Sequence, residues 1–244
     1  MQLWIVSDHG HSPVAHHEAL AGLFPVLGHR VVAHPWVMVP FPQTAVMVSG
    51  NAMAHLYLEV RRRQRPWWPA LSRDWEGLVA TLLSRPSVDL ALLPLDAERC
   101  EVRSRKGAVG MVSHAGGRYS YQPIAGDPLQ VGCAVQGATA DQAHDATAAT
   151  DYPDSIVQIA NLASSPRAGD IILSAARDWD LRARYEPIPH VSSHGALHRE
   201  HMMVPLLVNR PTVRLPRRTT DVMPSSLAAL GLPIPESLDG ASFL

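Results

Sequence analysis

The chain has 244 residues, of which 46% are hydrophobic and 18% charged, and its net charge is −1. That suits one large globular domain, or a domain carrying an insertion, and it argues against a dedicated nucleic-acid scaffold, which needs a basic balance. No stretch is apolar for long enough to span a bilayer. The two cysteines, Cys100 and Cys133, are too few for a disulfide scaffold and are not spaced as a metal knuckle. The N-terminal residues lack the basic flank and the length of a signal peptide.

In chain order, residues 2–7 read as a buried strand. Val14 to Leu27 has Leu20, Leu23 and Phe24 at helical spacing and reads as a helix ending near Pro25 or Gly28. Residues 29–33 return as a strand, followed by a proline-rich crossing from Pro35 to Pro42. Residues 45–48 and 55–58 read as paired strands around Gly50-Asn51. Trp75 to Ser84 reads as an amphipathic helix. Residues 88–94 and 101–104 read as strands, Gly107 to Tyr121 as a hairpin region, and Ala134 to Thr150 as a polar, alanine-rich stretch. Asp154 is placed to cap a helix over 155–162. Residues 169–175 and 204–208 are further buried-strand candidates. Asp221 to Leu230 reads as a closing helix, with Pro224 in its first turn and Gly231 just beyond its end.

The chemistry is concentrated in two short motifs. Ser7-Asp8-His9-Gly10 follows the first apolar run. It offers a carboxylate oxygen and an imidazole nitrogen, the donor types that hold a divalent ion. Adjacent side chains on a strand point to opposite faces, so the pair converges only where the strand ends, and Gly10 permits that turn. Ser192-Ser193-His194-Gly195 precedes the last apolar run. His198 and His201 follow, and on a helix they would share a face with His194. Gly195 disfavours that helix, so His198 and His201 are expected beside the metal site or the substrate rather than on the ion. His11, His16 and His17 read as solvated loop histidines. Arg61-Arg62-Arg63-Gln64-Arg65 with Trp67-Trp68 reads as a solvated turn, and Asp151, Asp154, Asp178 and Asp180 as capping and turn residues.

These residues resemble the alkaline phosphatase superfamily, nearest to its type I phosphodiesterase/nucleotide pyrophosphatase branch. The likeness rests on Val6-Ser7-Asp8-His9-Gly10, on residues 193–202 running into Val204-Pro205-Leu206-Leu207, on Gly169 to Ser174, and on the ending from Arg218 to Gly240. It covers residues 1–34 and roughly 151–244.

The resemblance implies an α/β fold: an alkaline-phosphatase-like sheet flanked by helices, truncated at its N-terminal half, with an inserted α+β cap. Residues 1–40 and 151–244 would form the core and 41–150 the cap. It implies a metal-dependent phosphoester hydrolase with two divalent metal ions, usually zinc. Asp8 and His9 would bind one ion and His194 the other. Its expected partners are a phosphate-ester substrate and a missing N-terminal half or partner chain.

The family's nucleophile, its first Asp ligand and an Asp-x-x-x-His pair precede the Asp-His motif, whereas only seven residues precede Asp8 here. The isolated chain is therefore expected to be inactive, and an export signal would also lie in that N-terminal part. A sulfatase-like or phosphoglycerate mutase-like enzyme fits the closing motifs less well. The reading from another class is a non-catalytic binding or interaction module that keeps half of a hydrolase fold.

Overall fold

The structure is a computed structural model that describes residues 2–35, 37–62, 64–183 and 188–244. β1 (Trp4–Val6), β2 (Ser12–His17), a 3-10 turn (Leu20–Gly22), α1 (Leu23–Val26) and β3 (Val31–Ala33) come first. β4 (Thr44–Ser49), β5 (Met53–Tyr57), α2 (Trp68–Leu83) and β6 (Val88–Pro94) follow. A meander runs through β7 (Arg99–Ser104), β8 (Val109–Ala115), β9 (Arg118–Ala125) and β10 (Val135–Ala138). α3 (Ala140–Thr147), α4 (Ser155–Ser164), β11 (Ile171–Ala175) and β12 (Asp178–Asp180) come next. β13 (Ser192–Ser193), α5 (Arg199–Met202), β14 (Leu206–Val208) and α6 (Val222–Ala229) close the order. The fold is mixed α/β, with one large mixed sheet and few helices.

The chain divides into two compact units, residues 10–203 and residues 1–9 with 204–244. The first of these holds a nine-stranded sheet in the order β10-β9-β8-β7-β6-β11-β5-β4-β3. β3 and β4 pair in parallel and the other neighbours antiparallel. β11 lies between β5 and β6, so a neighbour satisfies its backbone on both sides. Its side chains alternate between two cores. Ile171, Leu173 and Ala175 join the core under α2, and Ile172 joins the core under α3 and α4. β6 divides in the same way, with Ala91 and Leu93 on the α2 face and Leu90 and Leu92 on the other. Strands covered on both faces read as continuous apolar runs, which is why residues 88–94 and 171–175 stand out in the sequence.

α2 buries Trp68, Leu71, Trp75, Leu78, Val79 and Leu82, a stripe at helical spacing. It begins seven residues before the expected start, because Pro69 in the first turn loses no intrahelical hydrogen bond. The helix expected over 14–27 forms only as the short turns at 20–26. Residues 12–17 are instead drawn into β2, which pairs with β12 and β13, an interaction that local spacing does not encode. Asp154 does not cap α4 as expected. It sits in the left-handed region at φ 60, and its carboxylate accepts from Gln158 Nε2 at 2.8 Å.

β3 and β11 fall within the expected core, yet they share one hydrogen-bonded sheet with the strands of the expected cap.

The smaller unit is built on β1 and β14, paired antiparallel with Trp4 opposite Val208. The Trp4 ring lies 5.3 Å from Phe243, whose amide donates to Ser225 Oγ on α6. The Asp221 carboxylate gathers the closing segment by accepting from the amides of Arg217 and Ala241 and pairing with Arg214. The two strands were expected to be buried. Instead Ile5 is 53% and Leu207 60% exposed. An apolar run reports that a segment is suited to burial, not that a neighbour covers it.

Candidate metal-binding histidines

Asp8 and His9 lie in the smaller unit, just past the end of β1. The His9 amide donates to Asp8 Oδ1 at 3.0 Å, and Ser7 Oγ donates to the His9 carbonyl at 2.7 Å. His9 Nε2 stands 3.4 Å from Asp8 Oδ2, so the adjacent side chains converge as the Gly10 turn permits. A tetrahedral zinc shell with bonds of about 2.0–2.1 Å separates its donors by roughly 3.3 Å. The pair is therefore spaced to share one ion. Asp8 is largely exposed, which leaves its carboxylate accessible.

In the larger unit His194 is held by its backbone. Its amide donates to the Gly50 carbonyl at 2.8 Å, and its carbonyl accepts from the Ala52 amide at 3.1 Å. The β4–β5 turn thus fixes the residue. Gly50 has φ 58, and a Cβ there would lie 2.6 Å from His194 Nδ1, so only glycine fits beneath the ring. Asn51 extends the support, with Nδ2 2.7 Å from His190 Nδ1, and His190 Nδ1 lies 2.9 Å from Asp180 Oδ2.

The His11 ring centroid is 5.1 Å from that of His194, and donor atoms of the two imidazoles come within 4.8 Å. His11 is exposed and outside any strand or helix, as a solvated loop histidine is expected to be, and its nearness to His194 is the addition. No local spacing signals this nearness, because His194 is distant in the sequence.

His198 and His201 do not join the ion-binding atoms. His198 precedes α5, and its Nδ1 lies 2.9 Å from Glu200 Oε2. His201 Nδ1 accepts from the Ala196 amide at 3.0 Å. An amide can only donate, so the proton sits on Nε2, which donates to Ser12 Oγ at 2.8 Å. Both ring nitrogens are engaged, and neither offers a lone pair to a metal.

Burial, followed by the neighbouring His198, His194 and His11, pushes the His201 pKa down to about 3 and keeps the ring neutral. Burial also lowers His198, against the pull of Glu200. Burial raises the Glu200 carboxyl, but a backbone hydrogen bond, Arg177 and His198 outweigh it and hold the group at about 2.

The remaining polar clusters are structural. Arg65 donates to the carbonyls of Ala163, Ser165 and Gly169 at the end of α4 and lies over the Trp67 ring at 4.4 Å. Arg62 pairs with Glu59 and Arg61 lies over Phe41, while Arg63 lies outside the described residues. Arg61 and Arg62 are exposed, as expected of a solvated turn, whereas Arg65 is drawn into loop packing. Asp180 is fully buried and accepts from the Arg182 amide at 2.6 Å. Asp151 accepts from Arg177 at 3.2 Å.

The fold defines an α/β protein with a large mixed sheet, and among the described residues no helix is long and apolar enough to cross a membrane. No protein-family model, no curated protein and no solved structure matches the chain.

Proposed function

We propose that this chain carries the C-terminal metal-binding motifs of a metal-dependent phosphoester hydrolase, of the phosphodiesterase/nucleotide pyrophosphatase kind within the alkaline phosphatase superfamily. On this reading β3 and β11 of the nine-stranded sheet, and the separate β1–β14 ribbon, belong to an alkaline-phosphatase-like core. The observation that carries the proposal is the convergence of His11 and His194, which are far apart in sequence and each close to a glycine-bearing turn. Asp8 and His9 enter it through the sequence motif alone.

The family implies two metal ions. His11 and His194 supply two imidazole donors and Asp8 and His9 a second pair, all of types zinc accepts, and neither pair by itself fills a tetrahedral shell. Two ions with open positions need more donors than these pairs hold, so the described residues do not fit the implied pair of ions. A bound divalent ion would supply Lewis-acid polarisation of a phosphoryl oxygen. The chain's own residues would hold and orient that ion, and no activated nucleophile stands beside His11 and His194 among the described residues. Ser12 is next to His11, but its hydroxyl faces the protonated Nε2 of His201, which cannot accept its proton.

The test is zinc titration by calorimetry, combined with turnover of a chromogenic phosphodiester. One ion per chain is expected, with affinity lowered at least about tenfold in His194→Ala. Hydrolysis by the chain alone is not expected. Absence of zinc binding would overturn the metal reading, and turnover that Asp8→Ala abolishes would overturn the inactivity of the isolated chain.

A second reading is a non-catalytic binding module, favoured by the Ser12 hydroxyl facing a protonated imidazole nitrogen rather than a base. A cobalt-substituted chain with no exchangeable water on the ion would support that reading over the hydrolase.

A further inference from the structure

Resting on the metal reading above, we infer that His201 is a positioning residue that locks His11 and His194 against each other without touching the ion. Two segments converge on it. Its carbonyl accepts from the Gly10 amide at 2.9 Å, and its Nε2 donates to Ser12 Oγ at 2.8 Å. Those two bonds bracket His11 from both sides along the chain. Its Nδ1 accepts from the Ala196 amide at 3.0 Å, two residues beyond His194. One imidazole therefore ties the segment that carries His11, just before β2, to the turn that carries His194. The ring is 4% exposed, and His198 packs on it with centroids 3.9 Å apart. Rotation of the ring would break both side-chain bonds at once.

Gly10 is part of the same joint. A Cβ at that position would lie 1.9 Å from the Glu200 carbonyl oxygen, so the chain approaches α5 this closely only through glycine. The fixed tautomer separates two roles that residue type alone would confuse. A ligand histidine leaves one nitrogen lone pair for the metal, and His201 leaves none. The asymmetry of its bonds also makes each separable. An asparagine at 201 places an acceptor near the Nδ1 position, and a glutamine places a donor near Nε2.

The experiment is cobalt(II) titration of the full chain, read by the visible absorption of the bound ion, with histidine-selective nitrogen NMR of the metal-free protein. His201→Ala is expected to weaken cobalt binding by about 10–100-fold, the usual cost of losing a group that orients metal ligands. His201→Asn and His201→Gln are expected to recover part of that loss. In the metal-free protein, His201→Ala is expected to shift the His11 and His194 ring resonances while leaving those of the distant His144 in place.

A folded His201→Ala protein that binds cobalt as tightly as the parent, with the same spectrum, would overturn the inference. If the parent binds no cobalt, the metal reading falls, and the NMR decides the clamp separately: unshifted His11 and His194 resonances would overturn it. If His201→Ala does not fold, Ser12→Ala removes one of the three bonds. It is expected to cause a smaller loss and to shift His11, and parent-like behaviour in that variant would overturn the inference.

Discussion

Asp221 shows how one side chain closes a segment that has little core of its own. Burial pushes its carboxyl up, but the amides of Arg217 and Ala241 and the Arg214 guanidinium outweigh burial and hold it below the usual carboxylate range. The folded group therefore titrates below the unfolded one. Its contribution is fully present above the unfolded value of about 3.9 and is lost as pH falls through the depressed folded value. Asp221→Asn is expected to lower stability at pH 7 by about 1–3 kcal/mol and to flatten the loss of stability between pH 7 and pH 3. Urea unfolding at both pH values checks this, and an unchanged acid dependence would contradict it. At the same scale, the convergence of Asp8 and His9 was legible from Gly10. The roles of His11 and His201 were not, because their partners are Ser12, Ala196 and His194, whose nearness is a product of tertiary folding.

Among the elements, β11 and β1 have similar apolar runs and opposite environments. β11 lies between two strands and under helices on both faces, whereas β1 has one strand partner and an exposed Ile5. Leu173→Ala is expected to cost about 2–5 kcal/mol, the range for a buried leucine whose cavity only partly collapses. Ile5→Ala is expected to change stability by about 0.5 kcal/mol or less. Denaturant midpoints at constant slope would show the difference, and equal losses would refute it. The paired strands around Gly50-Asn51, the hairpin after Gly107 and the closing helix were readable, because turn residues and short-range periodicity specify them. β2 was not, since its apolar spacing also fits a helix and only its pairing with β12 and β13 decides the outcome.

At the scale of the molecule, residues 1–9 and 204–244 expose an unusual amount of apolar surface. Leu3, Ile5, Leu207, Val213, Leu215 and Leu230 are each more than half exposed. A two-stranded ribbon with such a face is marginal alone and invites pairing. The chain is expected to oligomerise in solution, and Ile5→Lys combined with Leu207→Lys to raise the monomer fraction. Light scattering on a size-exclusion column measures both, and a monodisperse parent monomer would contradict the expectation. Read alone, the residue order established an α/β chain, the buried strands at 88–94 and 171–175, and two motifs with donor types that metals accept, because periodicity, glycine turns and donor chemistry are local properties. The packing alone determined that expected core and expected cap strands share one sheet, that His11 faces His194, and that His201 holds them, because those pairings depend on which distant segments meet.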